Sequence, residues 1–284
     1  MIAMNMKYSS IILAGNGWGA IAAGKSLTKE FSSIAVLSDD EAVIAIANGK
    51  IIPSLQVLDN ALIVFAGYKP FVPKLVLEHN TCINVHYSLL PAYRGLHSTV
   101  WAILNNESKL GLTIHLMDEY MDNGPIIYQY AVDNDFKSTS TEYMEVFNNH
   151  IEQNLGKVIK SFIEGGIKPH AQDKSKASWV GRRNVEDCRI DFSKPIGYQK
   201  AFFRALVAPY PLPFFTFRNK RYVVLQTSFH PSSVISHIGR ILNIDNEGIW
   251  IQIADGYMVV KKMVDESGSE ISYTNFTIGQ YLNE

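Results

Sequence analysis

Cysteine is scarce: Cys82 and Cys188 are the only two in 284 residues. Their number and separation exclude a disulfide framework and a cysteine zinc site, and a reducing cytoplasm is the natural setting. Net charge is also scarce, at −1, so the bulk composition marks no polyanion partner. Long hydrophobic runs are missing. The apolar stretch after MIAMNMKYSS is broken at Gly15, and no run reaches the length of a spanning helix. Neither an export signal nor a membrane segment is expected. Internal repeats and low-complexity segments are absent too. What is present is an ordinary globular composition, 47 % hydrophobic and 19 % charged, over a length that suits one large domain or two smaller ones.

Apolar runs at 10–14, 34–37 and 61–66 predict strands, and the first two flank a helical segment around 19–30. This alternation predicts a parallel sheet. Residues 70–79 suit a proline-started helix, TCINVH a strand, and STVWAILNN a helix with Ser98 as its cap. LGLTIHLMD is a further strand, followed by the turn MDNGPIIYQ and a long helix near 140–164. One α/β domain is expected over 1–190. From 191 to 284 the texture changes. A helix near 195–206 leads into VAPYPLPFF, whose three prolines predict a stiff extended crossing. FFTFRNKRYVVLQ and HIGRILNIDNEGIWIQIADGYMVVKKM then alternate like strands, with NEG and DG as hairpin signals. They predict a small C-terminal antiparallel β module.

IILAGNGWGA, residues 11–20, carries most of a dinucleotide-binding fingerprint: an apolar run, Gly15, Gly17 and Ala20, then Asp39 and Asp40. Two readings compete. One is a phosphate cradle for NAD; the other is the small-residue turn that any βαβ unit needs.

The densest polar residues among apolar ones lie in INVHYSLLPAYRGLHS and TIHLMDEYMDNGPII. Asn84 and His86 are two apart at a strand end, so extended geometry points them to one side. Asp122 follows a later strand in a turn of Asn, Gly and Pro. An amide for a developing oxyanion, an imidazole for a proton and a carboxylate to orient it form an acyl-transfer set. The same spacing also suits purely structural roles. His115, mid-strand, reads as packed core, and the remaining histidines show no metal-ligand spacing, so no metal is expected.

INVHYSLLPAYRG and GLTIHLMDEYMDNGPII together resemble the folate-dependent formyltransferase family, over roughly residues 60–225. The resemblance implies a Rossmann-like formyltransferase core in which Asn84, His86 and Asp122 are catalytic. Ser88, Tyr93, Arg94, Gly95 and His97 then form the loop beside the acceptor, and Tyr68, Met117, Asp118 and Gly124 border the formyl donor, N10-formyltetrahydrofolate. The donor lies along the later strands, so no NAD is expected and GNGWGA is architecture. In the implied reaction the acceptor amine attacks the formyl carbon. Asn84 and a protonated His86 meet the oxyanion, and Asp122 holds His86. Two departures stand out: Tyr87 occupies a place where Gly or Pro is usual, and the stretch before Asn84 is about twenty residues shorter than in the larger members.

The acceptor is read from the remainder. Residues 229–284 set Arg240, Lys261 and Lys262 against Asp245, Glu247, Asp255, Asp265, Glu266, Glu270 and Glu284, a net of −4 that argues against a grip on tRNA. WVGRRNVEDCRIDF and FFRALVAPYPLPFFTF resemble sugar-nucleotide N-formyltransferases acting on amino-dideoxy sugars, with dTDP favoured. Arg182, Arg183 and Arg204 are the expected pyrophosphate partners; Tyr210, Phe214 and Phe215 are the expected base-stacking surface. A cytoplasmic homodimer making surface polysaccharide such as O-antigen is the resulting expectation. A methionyl-tRNA formyltransferase and an NAD-binding Rossmann protein are the alternatives.

Overall fold

A computed structural model describes residues 8–46, 50–55 and 58–283. Residues 1–7, on which the export-signal reading falls, lie outside them. The chain divides into two compact units. One comprises Met1–Thr99, Ser108–Asp133 and Glu142–Gly181; the other comprises Val100–Glu107, Asn134–Thr141 and Arg182–Glu284. The final crossing between them, at 181/182, falls ahead of the boundary expected at 190/191.

The first unit is built on β1 (Ile11–Ala14), β2 (Ala35–Leu37), β3 (Leu62–Phe65), β4 (Thr81–His86), β6 (Lys109–Leu116) and β7 (Ile126–Asp133), in the order β2-β1-β3-β4-β6-β7. Every residue of β1 and β3 is buried, which is why they read as continuous apolar runs: both faces of the sheet are covered. The helices around them are α1 (Gly17–Glu30), α2 (Glu41–Ile46), α3 (Lys74–His79), the start of α4 (Ser98–Leu104) and most of α5 (Ser140–Ile163). A separate two-stranded pair joins β5 (Arg94–Gly95) to β8 (Trp179–Val180).

The sheet is mixed rather than parallel. β2, β1, β3 and β4 are parallel, whereas β6 and β7 run antiparallel to their neighbours. The loop 117–125 is too short for the crossover that a parallel return needs, so β7 must fold straight back on β6. Ser98 begins α4, but its hydroxyl donates to the Tyr87 carbonyl at 3.0 Å instead of accepting from the helix.

The turn GNGWGA is explained by packing. A Cβ on Gly15 would stand 1.8 Å from the Ala66 carbonyl oxygen, because the loops after β1 and β3 press together. A Cβ on Gly19 would stand 2.3 Å from the Tyr87 hydroxyl. That hydroxyl donates to Asn148 Oδ1 at 2.7 Å, so the unusual Tyr87 is accommodated by a glycine in α1 and anchored by α5. The first N–H of α1, on Gly17, donates to Asp40 Oδ2 at 2.9 Å. An internal carboxylate thus takes the place at the helix N-terminus that a pyrophosphate would occupy.

The second unit carries a five-stranded antiparallel sheet in the order β11-β12-β13-β10-β9. Its strands are β9 (Phe214–Phe217), β10 (Lys220–Pro231), β11 (Ile241–Asp245), β12 (Gly248–Ile253) and β13 (Gly256–Val264). Pairing of Asp245 with Gly248 and of Ile253 with Gly256 leaves two-residue turns where NEG and DG predict them. α6 (Ile196–Ala205) precedes the sheet, and its first N–H donates to Asp255 Oδ1 at 2.7 Å. The proline segment departs from expectation. Residues 207–210 form a turn, with the Tyr210 N–H on the Val207 carbonyl and a cis Ala208–Pro209 bond, so the extended crossing is confined to residues 211–213.

Candidate functional site

Asn84 and His86 sit on one face of β4, and antiparallel pairing with β6 sets His115 directly opposite Asn84. Asp122 reaches the same place from the loop after β6. That loop is folded by Asp118, whose carboxylate accepts from the Tyr120 N–H at 2.9 Å and from Asn123 Nδ2 at 2.6 Å. Asp122 itself takes a left-handed backbone, φ +49°, which a short polar side chain tolerates.

Four side chains converge. Asn84 Nδ2 donates to Asp122 Oδ1 at 3.3 Å and lies 3.3 Å from His115 Nε2. His86 Nδ1 and His115 Nε2 each stand 3.6 Å from an Asp122 oxygen. Asp122 Oδ2 also accepts the Gly95 N–H at 2.8 Å. A Cβ on Gly95 would meet the Val180 carbonyl oxygen at 2.2 Å, so only glycine fits between the carboxylate's donor and β8.

Carbonyl oxygens only accept, and this fixes both imidazoles. His86 Nε2 is 2.9 Å from the Tyr93 carbonyl and so carries its hydrogen there, leaving Nδ1 as the nitrogen that faces Asp122. His115 Nδ1 donates to the Leu116 carbonyl at 2.7 Å, which leaves Nε2 as the nitrogen that faces the Asn84 amide. Both contacts of that amide are long and yield readily to a stronger acceptor.

Burial lowers the His86 pKa below its ordinary 6.5; the Asp122 charge and the Tyr93 carbonyl oppose this shift, and His115 adds to it. The resting imidazole is neutral at neutral pH. For Asp122, burial pushes the pKa up, but the His115 and His86 imidazoles and the Gly95 N–H outweigh it and bring it to about 2. A neutral base beside a fixed carboxylate suits removal of a proton from a nucleophile, since the imidazolium it forms lies against a negative charge. The expected role of His86, protonated toward an oxyanion, then requires it to gain that proton during the reaction.

Sequence reasoning missed two residues. His115, 1 % exposed, is as buried as a core residue, but its ring edge enters the site. Only the β4–β6 register reveals this. Gln172 is buried behind the loop, where its Nε2 donates at 2.8 Å to the carbonyls of Asp122 and Gly124 and its Oε1 accepts Arg94 Nη2 at 2.7 Å. No local pattern marks it.

The other expected residues fall into place or out of it. Tyr93 contributes its carbonyl, and His97 sits half-buried at φ +60° just before α4. Ser88 is buried and spends its hydroxyl on the Ala92 carbonyl at 2.7 Å, so it builds the loop rather than facing an acceptor. Arg94 is buried as well, held by Gln172. Tyr68 and Met117 are half-buried, and each packs on an apolar cluster that includes Phe65, Val72 and Val76. Asp118 is consumed in the loop. Gly124 packs where a Cβ would stand 1.9 Å from the Leu116 carbonyl oxygen, so its role is closure of the same loop.

In the second unit, Arg182 is exposed and Tyr210 half-buried. Arg183 lies over the Trp101 ring at 4.7 Å and donates to the Asp187 carbonyl. Arg204 is buried and donates to Asn134 Oδ1 at 3.3 Å and the Ser138 carbonyl at 3.1 Å, which makes it a structural group rather than a pyrophosphate partner. Phe214 and Phe215 are 1 % and 0 % exposed and have no open face for a base. Among the described residues no group of His, Cys, Asp and Glu is arranged to hold a metal, and no helix is long and apolar enough to cross a membrane.

Comparison with known proteins places this geometry in a family. A methionyl-tRNA formyltransferase of Clostridium novyi is 29 % identical over 214 residues, which cover 75 % of this chain and 69 % of that protein. Among solved structures, an N-formyltransferase from Helicobacter canadensis in complex with folinic acid and dTDP-3-aminofucose superposes with a TM-score of 0.71 at 20 % identity, over 90 % of this chain and 100 % of that one. HypX from Aquifex aeolicus gives a TM-score of 0.63 at 18 % identity over 93 % of this chain, which spans only 46 % of HypX. Residues 29–159 match the family described as formyl transferase, and residues 183–281 match the formyl transferase C-terminal domain. Since those two segments together take up most of its length, the chain belongs to the formyl transferase family.

Proposed function

We propose that this protein transfers a formyl group from N10-formyltetrahydrofolate to the amine of a nucleotide-linked amino-dideoxy sugar. The observation that carries the catalytic half is His86 Nδ1 facing Asp122 Oδ2 at 3.6 Å. The donor supplies the formyl carbon that an amine attacks. The apolar, half-buried surface of Tyr68 and Met117 fits a flat aromatic donor. His86 Nδ1 would take the proton that the attacking amine must lose and return it to the donor nitrogen, N10, that leaves as its bond to the formyl carbon breaks, with Asp122 stabilising the imidazolium in between. Asn84 releases one of its long contacts and turns that hydrogen toward the developing oxyanion.

Two observations support a sugar nucleotide as acceptor. Residues 229–284 are acidic, with a net charge of −4. The Helicobacter canadensis protein, similar in fold over its whole length, is described with dTDP-3-aminofucose. Supply of surface polysaccharide by a cytoplasmic homodimer belongs to the same reading, with dTDP as the favoured nucleotide. A methionyl-tRNA formyltransferase is the second reading, favoured by the name of the Clostridium novyi relative.

Mass spectrometry after incubation with N10-formyltetrahydrofolate and a panel of nucleotide-linked amino sugars tests the proposal. A formyl mass gain on one sugar supports it. Formylation of charged initiator tRNA with no gain on any sugar leaves the catalytic half standing and replaces the acceptor.

A further inference from the structure

We infer that Trp179 is the platform on which the nucleobase of the acceptor stacks, an assignment that rests on the sugar-nucleotide reading of the acceptor. Trp179 stands in β8, paired so that Arg94 is its partner across the ladder and Gly95 is the partner of Val180. Ser178 fastens the pair, accepting the Arg94 N–H on its carbonyl and the Tyr93 N–H on its hydroxyl, each at 2.9 Å. The indole is therefore mounted on the strand pair whose Gly95 N–H holds Asp122.

The residue is 66 % exposed, although an indole is among the side chains that gain most from burial. The guanidinium of Arg94 lies 5.7 Å from the ring centroid. Arg94 is itself only 4 % exposed, so it meets the indole from the protein side and leaves the solvent side open. Through Gln172, Arg94 is tied to the carbonyls of Asp122 and Gly124, so ring and reactive loop share one chain of contacts. Among the described residues Arg94 makes no ion pair, and its buried Nε has no hydrogen-bond partner. A buried cation without a counter-charge favours an anionic group brought near it. A fixed open indole with that cation behind it suits a planar base joined to a diphosphate.

Tyr120 and Phe71 are as exposed, but among the described residues neither ring has an aromatic or cationic neighbour to hold it. Leu96 and Met121, also exposed, extend the apolar surface beside Gly95 and Asp122.

The test is calorimetric titration of dTDP, UDP and GDP into the wild-type protein, Trp179→Ala and Trp179→Phe, with folinic acid titrated in parallel. Trp179 is exposed, and unchanged circular dichroism and melting temperature are expected for both variants. The expected result is nucleotide affinity weakened at least about tenfold in Trp179→Ala, largely restored in Trp179→Phe, with folinic acid unaffected. Equal nucleotide affinity in wild type and Trp179→Ala overturns the platform and leaves the acceptor reading intact. No nucleotide binding to the wild type overturns both. Weakened folinic acid binding in Trp179→Ala assigns the ring to the donor and overturns the inference.

Discussion

His86 turns Nδ1, not Nε2, toward Asp122: 3.6 Å separates Nδ1 from Oδ2, while Nε2 is held by the Tyr93 carbonyl at 2.9 Å. Under the proposed function, activity of the free enzyme is expected to depend on a neutral His86 and an ionised Asp122. As pH falls below 6.5 and through the lowered His86 pKa, kcat/KM is expected to fall, while Asp122 stays charged down to about 2. Asp122→Asn removes the charge that raises the His86 pKa, so its acid limb moves to lower pH, and kcat drops by about 10²–10⁴. Rate profiles of both proteins check this; an acid limb that moves upward in Asp122→Asn contradicts it.

The same two groups set the acid sensitivity of the fold. Each has a lower pKa folded than its ordinary value, so the unfolded chain binds protons first as pH falls. The His86 contribution is complete above 6.5 and is lost as pH falls through its folded pKa. That of Asp122 is complete above 3.8 and is lost toward about 2. Urea midpoints measured from pH 7 to pH 3 are expected to decline in the wild type, and less steeply between pH 6.5 and 5 in His86→Gln.

His115→Phe removes the ring nitrogen that faces the Asn84 amide and a neighbour that lowers the His86 pKa. Loss of Asn84 alignment is expected to reduce kcat by about ten- to a hundredfold with little change in KM. The acid limb is expected to move upward, the opposite of Asp122→Asn. A packing role alone would leave the limb where it is, so the profile distinguishes the two.

Gly19→Ala drives a methyl group into the Tyr87 hydroxyl, which Asn148 holds in place. The expected cost is about 1–3 kcal/mol, as for other overpacked sites. Adding Tyr87→Phe removes the oxygen and should restore part of the loss. Thermal melts of the single and double variants measure it, and a double variant no more stable than Gly19→Ala would refute the coupling.

Gln172→Leu strips partners from two loop carbonyls and from Arg94 Nη2 at once. Because two of these three contacts are buried and the third is partly so, the expected destabilisation is about 2–3 kcal/mol. Equilibrium urea unfolding gives the size, and turnover under native conditions should fall as the Asp122 loop loosens.

Much of the fold is legible in the chain itself. The apolar runs of β1 and β3, the proline before α3 and the hairpin signals of the second unit are local patterns, and local geometry comes directly from them. The shared face of Asn84 and His86 is legible for the same reason, since a strand alternates with period two. Ser88 and Phe214 mislead because polarity and aromaticity say nothing of burial: one hydroxyl closes its own loop, and the phenyl ring has no open face.

The amino-acid sequence alone determined most of the elements, though not β7, whose start reads as a turn, together with the family pattern around Asn84, His86 and Asp122 and the acidic balance of the C-terminal residues. Tertiary structure alone decided that His115 lies opposite Asn84, that Gln172 braces the Asp122 loop, and that Asp40 fills the N-terminus of α1. Each of these joins residues far apart in the chain through strand register or loop packing. Such contacts depend on which long-range pairing lowers the free energy of the whole fold, and no local pattern encodes that choice.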